Sequence, residues 1–564
     1  MISTDKNAVS LFVEQCVAHG MLNVVCSPGS RNAPLVIAFD EHPSIICKVI
    51  HDERSAAFFA LGMAQQLCQP VGIVCTSGSA ALNYYPAVSE AFYQCIPLVV
   101  ISADRPNEWV DQGDGQTIRQ KNIFESHVRY SLNISEKFST STEQWYLERE
   151  TAIAFNEGNG AWKGPIHFNI SLNEPLYNKV EYTPGSARLI NSVKSDFKLL
   201  SEDAEWIKKS MLYDRKLLIV GQMDFDSSFL NELILFANDS SVAVLVENTS
   251  NALDKCFVHC IDRALNRINE DELDLYAPEL LITVGGAVVS KRIKSFIRKN
   301  PPKQHWRVGN SFPYMDTYQS LTHTFSTDAY SFLKNINQLD YPRSRSNYGA
   351  KWRQIDLLSK YKLETFFNGA EYSDIAVFYL LLDYLPDPAQ LHMGNSSVVR
   401  YCQLFDPVKG VRYWSNRGTS GIDGSTSTAV GAANSSNNNL HVLITGDVSF
   451  FYDSNGLWNN YLSPNLRIIL INNGGGGIFR IISGPDKSEQ LETYFEAKHN
   501  HSAEGIAATF GLDYLRAESL AEIEDQMLWF YEKNEKGNAK LLEIFTPAEI
   551  NSKVLEEFFQ FLKI

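Results

Sequence analysis

The stretch from residue 440 to 479 decides the fold, because it holds two apolar runs that each end in a short polar loop. The first run is LHVLITGDVSFFYDSNG (440–456) and the second is LRIILINNGGGGIF (466–479). Continuous Val, Ile and Leu runs bounded by Gly, Asp and Asn are typical of strands buried in a parallel sheet. Asp447 and Asn473 lie 26 residues apart, about the length of one strand–helix–strand crossover. We therefore expect both loops to emerge side by side at one sheet edge.

The polar residues of these two loops are candidate metal ligands. Carboxylate, amide and backbone carbonyl oxygens are the ligands that Mg²⁺ prefers, and Mg²⁺ keeps positions for phosphate oxygens. Gly-Asp and Asn-Gly pairs are also common turn formers, so each pair alone indicates only a turn. Their spacing at consecutive strand ends favours a metal site. The sequence has no dinucleotide-binding, P-loop, nucleophile-elbow or H-E-x-x-H motif, so those interpretations lose their main support.

The same alternation of apolar strand, Gly/Ser loop and helix extends outward into three blocks. They predict domains at residues 1–185, 200–340 and 355–564. Two polar segments between them, 178–196 and 340–354, have the Pro- and Ser-bearing composition of linkers. The expected fold class is α/β, with three consecutive doubly wound parallel-sheet domains.

Composition excludes several classes of function. The net charge of −15 and pI of about 5.4 disfavour non-specific nucleic-acid binding, which needs surplus Lys and Arg. No apolar segment reaches the roughly 18 residues of a membrane span, and no leader pattern opens the chain. The nine scattered cysteines are typical of unpaired thiols in the cytoplasm. Cys256 and Cys260, in CFVHC, lack the second ligand pair of a zinc site.

The Gly-Asp and Asn-Asn pairs at this spacing resemble the cofactor motif of thiamine-diphosphate (ThDP) enzymes. The resemblance implies that Asp447, Asn473 and the backbone carbonyl of Gly475 bind the Mg²⁺ or Mn²⁺ that anchors the diphosphate. Because the interval is about one residue short of the usual pattern, Asn472 is an alternative to Asn473, and alignment on GGIF favours Asn473. Gly446 and Ser449 belong to the same cofactor-binding motif.

The resemblance is closer to one group within that family. SPGSR (27–31), DERSAAFFALG (52–62), TSGSA (76–80), ADRP (103–106), GQTIRQ (115–120), GNSSVVR (394–400), NRGTSGIDG (416–424) and NNGGGGIF (472–479) occur in order. This order is similar to that of the 2-succinyl-5-enolpyruvyl-6-hydroxy-3-cyclohexene-1-carboxylate synthases of menaquinone biosynthesis. The similarity spans about Cys26 to Ile482 and is loose in the middle block, where SKRIKSF (290–296) carries it.

This resemblance implies a reaction, substrates and an assembly. The reaction is ThDP-dependent decarboxylation of 2-oxoglutarate and 1,4-addition of the resulting succinyl carbanion to isochorismate, with release of CO₂. It also implies a homodimer or homotetramer in which the first domain of one subunit faces the third domain of its partner. An active site completed by a second chain would leave a stable monomer inactive.

Glu53, in KVIHDERSAAFFALGMA (48–64), is the candidate catalytic residue. By the resemblance it is the carboxylic acid that shares a proton with N1′ of the aminopyrimidine and so activates the cofactor. Taken alone, Asp52 and Glu53 near a helix start would only complement the helix dipole. We assign the catalytic role to Glu53 and the helix-start role to Asp52.

The substrates carry several carboxylates, and the resemblance implies a cationic pocket of Arg side chains, which bind carboxylates bidentately. The predicted substrate-binding residues are Ser30, Arg31, Arg105, Gln116, Lys291, Arg292, Asn395, Ser396, Arg400, Arg417 and Phe479. Ile422 matches the apolar residue that supports the bent cofactor, and Phe479 matches an apolar wall over the reacting carbon. Gly115 stands where relatives carry Asn, so one polar contact with substrate is expected to be missing.

Two other interpretations remain open from the residues. A simpler 2-oxo-acid decarboxylase or carboligase would share Glu53 and the metal motif without needing the Arg set. A catalytically silent homologue acting as a binding protein would have no need of Glu53, Asp447 and Asn473 together.

Overall fold

The protein folds around three parallel sheets. The structure is a computed structural model and describes residues 1–185, 187–193, 197–436, 439–481, 484–533 and 537–563. Successive residues of each central strand pack into different hydrophobic clusters, as Val24 and Val25 do in the first sheet. Leu217 and Leu218 divide in the same way in the second sheet. The apolar runs are therefore covered on both faces, which confirms the prediction of three α/β units with parallel sheets.

The first unit contains a six-stranded sheet and six helices. Its strands, preceded by an outlying strand β1 (Ile2–Thr4), are β2 (Asn23–Cys26), β3 (Ile46–Val49), β4 (Val71–Cys75), β5 (Leu98–Asp104), β6 (Tyr130–Ser135) and β7 (Ile166–Ser171). Its helices are α1 (Asn7–Ala18), α2 (Ala33–Asp40), α3 (Glu53–Leu67), α4 (Ser79–Asn83), α5 (Tyr85–Gln94) and α6 (Ser141–Asn159). The strand order is β3-β2-β4-β5-β7-β6, and every pair is parallel.

The middle unit follows a short strand β8 (Lys179–Glu181), which pairs antiparallel with β1. Its strands are β9 (Lys216–Val220), β10 (Val242–Val246), β11 (Leu280–Val284), β12 (Gln304–Val308) and β13 (His323–Phe325). Its helices are α7 (Ser201–Ser210), α8 (Ser227–Ala237), α9 (Ile261–Leu265), α10 (Leu273–Tyr276), α11 (Lys291–Lys299) and α12 (Ala329–Asn337). The sheet order is β10-β9-β11-β12-β13.

The third unit again has six parallel strands. They are β14 (Ala389–Met393), β15 (Val411–Trp414), β16 (Leu440–Gly446), β17 (Leu466–Asn472), β18 (Asp513–Ala517) and β19 (Lys540–Phe545). Its helices are α13 (Tyr348–Lys360), α14 (Leu363–Phe367), α15 (Asp374–Asp383), α16 (Ser397–Cys402), α17 (Ser425–Ser435), α18 (Asp447–Tyr452), α19 (Ile478–Ile481), α20 (Glu504–Phe510), α21 (Leu520–Tyr531) and α22 (Ala548–Lys563). The order is β15-β14-β16-β17-β19-β18.

The first and third sheets share one strand order, 2-1-3-4-6-5 when each is counted from its own first strand. Helices α3 and α17 follow equivalent strands and pack against each other. A Cβ on Gly62 of α3 would lie 2.0 Å from the carbonyl oxygen of Thr428, and one on Gly431 of α17 would lie 2.0 Å from that of Phe59. Only glycine permits these approaches, which join the first and third units within one chain.

Both predicted linkers contain regular structure. Strand β8 lies in the first, and the second contains the start of α13, whose Gly349 lies against the carbonyl oxygen of Val242 in the middle sheet. Both elements lie in short polar segments, and composition alone could not distinguish a strand or a helix start from a loop there. Ser186 and residues 194–196 of the first linker, like Ile482 at the end of the motif-bearing region, lie outside the described residues. The domain boundaries stay a prediction.

Two further expectations concern membrane-spanning helices and the state of the cysteines. In the part of the chain that the structure describes, no helix combines the length and the apolar character needed to cross a bilayer. The nine cysteines are all unpaired. Among the described residues, Cys256 and Cys260 belong to no group of His, Cys, Asp or Glu side chains suited to a metal ion.

Candidate active site

Asp447 lies where the two polar loops of the third sheet meet. It is 2% exposed, directly follows β16 and opens α18. Its Oδ1 accepts a hydrogen bond from Val448 N at 2.6 Å, and its Oδ2 accepts one from Gly475 N at 2.9 Å. The contact with Gly475 joins the loop after β16 to the loop after β17, as the spacing predicts. Burial raises the pKa of Asp447 to about 7, so a cation here would restore the favoured charged form.

Asn472 and Asn473 have different surroundings. Asn472 is buried, and its Nδ2 donates to Glu543 Oε1 at 2.7 Å while its Oδ1 accepts from Gly474 N at 3.2 Å. Asn473 donates from Nδ2 to Asp374 Oδ2 at 3.0 Å. Within the described residues, the Oδ1 of Asn473 accepts no hydrogen bond. This geometry supports Asn473 over Asn472 as the candidate ligand, because its amide is oriented while its oxygen stays available.

Asp374 is a residue that the sequence analysis missed. It is fully enclosed at the start of α15, where its backbone N–H donates to Asn551 and its Oδ1 accepts from Thr546 Oγ1 at 2.5 Å. Burial raises the pKa of this carboxyl. Its sequence context, YSDIAVF (372–378), is that of an ordinary helix start. Only the fold brings Asp374 beside Asn473, 99 residues later.

Glu53 and Asp52 also differ in their contacts. Asp52 caps α3 by accepting a hydrogen bond from Ser55 N at 3.2 Å, and its other oxygen accepts from Asn455 Nδ2 at 2.7 Å. Glu53 is half-buried, and in the described part of the chain its side chain makes no hydrogen bond or ion pair with another residue. Burial, and secondarily the charge of Asp52, raises the pKa of Glu53. An unpartnered carboxyl with a raised pKa has the properties expected of a proton-sharing group.

Arg31 and Arg105 lie together at the carboxyl edge of the first sheet. Arg31 is 4% exposed; its Nη1 donates to Leu172 O at 2.9 Å and its Nη2 pairs with Glu174 at 3.2 Å. Arg105 pairs with Asp114 at 3.3 Å. Burial and repulsion by Arg105 lower the pKa of Arg31. Two guanidinium groups therefore lie close enough to repel each other at this edge, each paired with one carboxylate that a substrate anion could replace.

The neighbouring polar residues of the first unit are more open. Ser30 and Gln116 are exposed, and Gln116 has the left-handed φ of 54°. Gly115 has open space where a side chain would project, and its carbonyl oxygen accepts from Arg105 Nη2 at 3.2 Å. An Asn side chain at this position would project into open space, and the backbone contact to Arg105 does not depend on it.

Asn395 and Arg417 are held together in the third unit. Asn395 is 3% exposed and accepts from Arg417 Nη1 at 2.9 Å, while its Nδ2 donates to the carbonyl oxygens of Asn416 and Gly421, each at 2.7 Å. With these contacts the Asn395 amide is engaged with the loop that carries Arg417. Its predicted contact with substrate stays a prediction.

Ser396 and Arg400 follow Asn395 in the chain, at the start of α16 and within it. Ser396 has a φ of 72°, which is unusual for a non-glycine residue and typical of constrained functional sites. The Nη1 of Arg400 donates to its carbonyl oxygen. Burial lowers the pKa of both Arg400 and Arg417, and the two guanidinium groups repel each other.

The middle unit contains the predicted pair Lys291 and Arg292 and a further lysine, Lys294, on the same helix. Lys291 is exposed at the start of α11, and Arg292 donates to Asn266 Oδ1 at 2.9 Å and stacks 3.9 Å from the centre of the Phe559 ring. Lys294, one helical turn on, interacts electrostatically with Arg400 and Arg417. The sequence alone did not single out Lys294, because it lies in the same SKRIKSF motif as Lys291 and Arg292, and the resemblance pointed to that pair.

Glu247 is a second missed residue of the middle unit. It is 2% exposed, and its carboxylate accepts hydrogen bonds from Val289 N at 2.7 Å and Ser290 N at 2.8 Å. These contacts fix the segment that leads into α11. Burial raises the pKa of Glu247 to about 7. It interacts electrostatically with Lys294, Arg400 and Arg417, so it offsets part of their charge.

Ile422 and Phe479 lie at the margins of the third-sheet loops. Both are half-buried. The carbonyl oxygen of Ile422 accepts from Ser449 Oγ at 3.1 Å, and the Phe479 ring lies 5.7 Å from that of Phe495. The contact between Ser449 and Ile422 ties the metal-motif helix to the SGIDG segment, 27 residues earlier.

Three family models match the sequence. They are described as the N-terminal TPP binding domain of thiamine pyrophosphate enzymes over residues 6–123, the middle domain of thiamine pyrophosphate over 192–393, and the C-terminal TPP binding domain over 393–541. Thiamine pyrophosphate is another name for ThDP. The cofactor expected from the Gly-Asp and Asn-Asn loops is thereby confirmed.

Curated relatives match the chain from end to end. The 2-succinyl-5-enolpyruvyl-6-hydroxy-3-cyclohexene-1-carboxylate synthase of Flavobacterium johnsoniae is 42% identical, covering 97% of each chain. This chain belongs to that synthase family. Other synthases of the same name, from Christiangramia forsetii and Bacteroides thetaiotaomicron, are 45% and 38% identical, covering 98% and 100% of each chain.

The fold of this synthase-family chain is also found in a solved ThDP-family structure. The benzoylformate decarboxylase of Polynucleobacter necessarius superposes with a TM-score of 0.72, covering 97% of this chain and 99% of the other, at 15% identity. At that identity the likeness concerns the fold alone. It agrees with the three consecutive parallel-sheet units.

The residues at the third-sheet edge fit a divalent metal and a diphosphate. Asp447 supplies a buried carboxylate, Asn473 an oriented amide oxygen and Gly475 a backbone carbonyl, which are the oxygen donors of Mg²⁺ sites. His499, which has no recognisable motif, places Nε2 at 3.5 Å from Asp447 Oδ2 and stacks on His501. In a single synthase-family chain, no described contact joins Glu53 to these residues.

Proposed function

We propose that this chain catalyses ThDP-dependent decarboxylation of 2-oxoglutarate and 1,4-addition of the succinyl unit to isochorismate. The products are 2-succinyl-5-enolpyruvyl-6-hydroxy-3-cyclohexene-1-carboxylate and CO₂, in menaquinone biosynthesis. The observation that carries the proposal is the oxygen-donor edge of Asp447 and Asn473, in a chain 42% identical over 97% of its length to a curated synthase.

Asp447, Asn473 and the carbonyl of Gly475 would hold Mg²⁺ or Mn²⁺, and Gly446 and Ser449 would contact the cofactor. A divalent cation offsets the cost of the buried Asp447 charge and attracts the diphosphate. When bound, ThDP supplies the electron sink that makes loss of CO₂ from a 2-oxo acid possible. Ile422 would support the cofactor in its bent form.

Glu53 would hold a proton at its carboxyl oxygen and share it with N1′ of the aminopyrimidine. Its half-buried position and raised pKa support this role, because a carboxyl that shares a proton near neutral pH must resist full ionisation. Asp52 is occupied by Ser55 and Asn455 and is left out of the chemistry.

The cationic residues would bind the carboxylates of the two substrates. Those with lowered pKa values and incomplete pairing, Arg31, Arg400 and Arg417, have donors to offer an anion. We assign substrate-binding roles also to Ser30, Arg105, Gln116, Lys291, Arg292, Asn395, Ser396 and Phe479.

The active site would be completed by a second copy of the chain. This assignment rests on the contacts within one chain: Asp52 and Arg54 contact the third unit at Asn455 and Tyr452, whereas among the described residues Glu53 makes no hydrogen bond or ion pair with the predicted metal ligands. We therefore propose a homo-oligomer with sites at the subunit interface. Nine unpaired cysteines support a cytoplasmic location.

A reconstitution assay tests the function. The purified protein with ThDP, Mg²⁺ and 2-oxoglutarate should release the expected synthase product only when isochorismate is added. Absence of product with isochorismate present would contradict the proposal. Faster turnover of pyruvate than of 2-oxoglutarate would favour a simpler decarboxylase, and failure to bind ThDP would favour a silent homologue.

A further inference from the structure

Glu90 is a buried carboxylate of the first unit that reaches into the third. It lies on α5 and is 1% exposed. Its Oε1 accepts a hydrogen bond from Gly418 N at 2.7 Å, and its Oε2 accepts from Thr419 N and Thr419 Oγ1, each at 2.6 Å. Short bonds to an ionised carboxylate are about twice as strong as neutral ones. One side chain therefore holds two consecutive amides of a loop 328 residues away.

The loop that Glu90 holds is the one that carries Arg417; we call residues 416–421 the arginine loop. A Cβ on Gly418 would lie 2.7 Å from the Glu90 carbonyl oxygen and 3.0 Å from its Oε1. The loop thus needs glycine there to come this close. Glu90 also interacts electrostatically with Arg417, which favours the charged form of Arg417.

The arginine loop is held from its other side by Asn395. The amide of Asn395 donates to Asn416 O and Gly421 O and accepts from Arg417 Nη1. Asn395 belongs to the third unit, whereas Glu90 belongs to the first. The orientation of Arg417 therefore depends on how these two units are packed together.

The middle unit also contacts this region, through Gln222. The Nε2 of Gln94 donates to Glu90 Oε1. The Oε1 of Gln94 accepts from Gln222 Nε2 at 3.1 Å, and the same nitrogen of Gln222 donates to Ser415 O at 2.9 Å. All three units thus contact the segment just before or within the arginine loop. Such redundancy is typical of a loop whose position matters to the site it serves.

We propose that Glu90 is a positioning residue for substrate binding, acting through Arg417. The Nε of Arg417 is buried and, within the described residues, has no hydrogen-bond acceptor. The Glu90 bonds to Gly418 and Thr419, together with Asn395, hold the Arg417 guanidinium within electrostatic reach of Arg400, so that one substrate carboxylate can bind both. The inference deepens the proposed function and rests on it.

Glu90→Gln tests the proposal, because an amide replaces one acceptor oxygen by a donor that faces Gly418 or Thr419 N–H. We expect KM for one carboxylate substrate to rise roughly 10- to 100-fold, with ThDP affinity unchanged. Amide hydrogen exchange at Gly418 and Thr419 should quicken. In the double variant Glu90→Gln/Arg417→Ala, kcat/KM should be no lower than in Arg417→Ala alone, because both changes remove the same interaction between Arg417 and the substrate.

Asp406→Asn is the matched control. Asp406 also joins two units, pairing with Arg263 at 3.2 Å and Lys360 at 3.3 Å, and among the described residues it makes no hydrogen bond or ion pair with the arginine loop. It should lower thermal stability without raising KM. Equal KM values for Glu90→Gln and Asp406→Asn, or additive losses in the double variant, would overturn the proposal.

The outcomes separate this proposal from the proposed function. A wild-type protein that forms no product would refute the function alone. Hydrogen exchange at Gly418 and Thr419 and calorimetric binding of succinate, a dicarboxylate probe, can be measured without turnover. Unchanged exchange and unchanged succinate affinity in Glu90→Gln would then refute the role of Glu90.

Discussion

The carboxyl edges of the first and third sheets are built on one strand order but are prepared for chemistry in different ways. At the third edge, polar groups bind each other: Asp447 accepts from Gly475, and Asn473 donates to the buried Asp374. At the first edge, Glu53 has no described side-chain partner, and its two neighbours make the contacts instead. The third edge is preorganised and the first leaves its carboxyl free.

This difference follows from what each edge is proposed to hold. A metal and a diphosphate need oxygen donors at fixed positions, and fixing them requires buried hydrogen-bond partners. A proton-sharing carboxyl needs partial burial and an open oxygen, so a partner in the same chain would compete with the cofactor. Two sheets with the same strand order can therefore hold one carboxylate by hydrogen bonds and leave another without a partner.

The largest expected effect separates Glu53 from its neighbour. Glu53→Gln should lower kcat roughly 10²- to 10⁴-fold while ThDP still binds, because the cofactor is held mainly at the third edge. Asp52→Asn is the control: Asn also caps helices well, so kcat should change little. Steady-state kinetics and ThDP titration measure both. A near-normal kcat for Glu53→Gln would contradict the catalytic role assigned to Glu53.

The second prediction asks whether the two edges meet across subunits. Glu53→Gln and Asp447→Ala proteins should each be nearly inactive alone. Unfolded together and refolded as mixed dimers, they should recover about a quarter of wild-type activity, because half of the dimers are mixed and each has one intact site. Activity that stays at the level of the single variants would place both edges of one site in one chain.

A third comparison distinguishes the adjacent asparagines of the third edge. Asn473→Ala should weaken metal-dependent ThDP binding roughly 10- to 100-fold, because it removes the available amide oxygen. Asn472→Ala should instead lower thermal stability, because Glu543 loses a buried donor. ThDP titration at fixed Mg²⁺ and thermal denaturation are the measurements. The reverse pattern would make Asn472 the ligand.

The last prediction leaves activity aside and concerns the stability cost of one buried carboxylate in the third unit, Asp453. Asp453, bonded to Ser427, has a pKa raised by burial from 3.8 to about 7. Between these values the unfolded chain is ionised while the folded residue stays protonated, so this residue's contribution to stability falls as pH rises and levels off above about 7.

Asp453→Asn removes that titration. Between pH 5 and 8, the free energy of unfolding of the cofactor-free variant should rise by about 3 kcal/mol relative to wild type. Urea denaturation at the two pH values measures it. A difference that does not change with pH would show that Asp453 is ionised in the fold at both.

Much of the architecture could be predicted because apolar strands and polar loops leave a local pattern. The three parallel sheets and the meeting of the Asp447 and Asn473 loops followed from run length and spacing alone. Strand β8 and the start of α13 did not, since short polar segments carry no periodicity. Asp374 and Glu247 could not be found either, because a lone acid in a helix start or after a strand is common.

By itself the sequence determined the order of strands and helices, the cofactor loops and the set of candidate charges, because these depend on residues near one another in the chain. Only the tertiary structure decided which of two adjacent groups is free. Asp52 and Asn472 are engaged, whereas Glu53 and the Asn473 oxygen are available. That outcome depends on partners up to 403 residues away, and hydrogen-bond competition at such distances leaves no trace in local sequence.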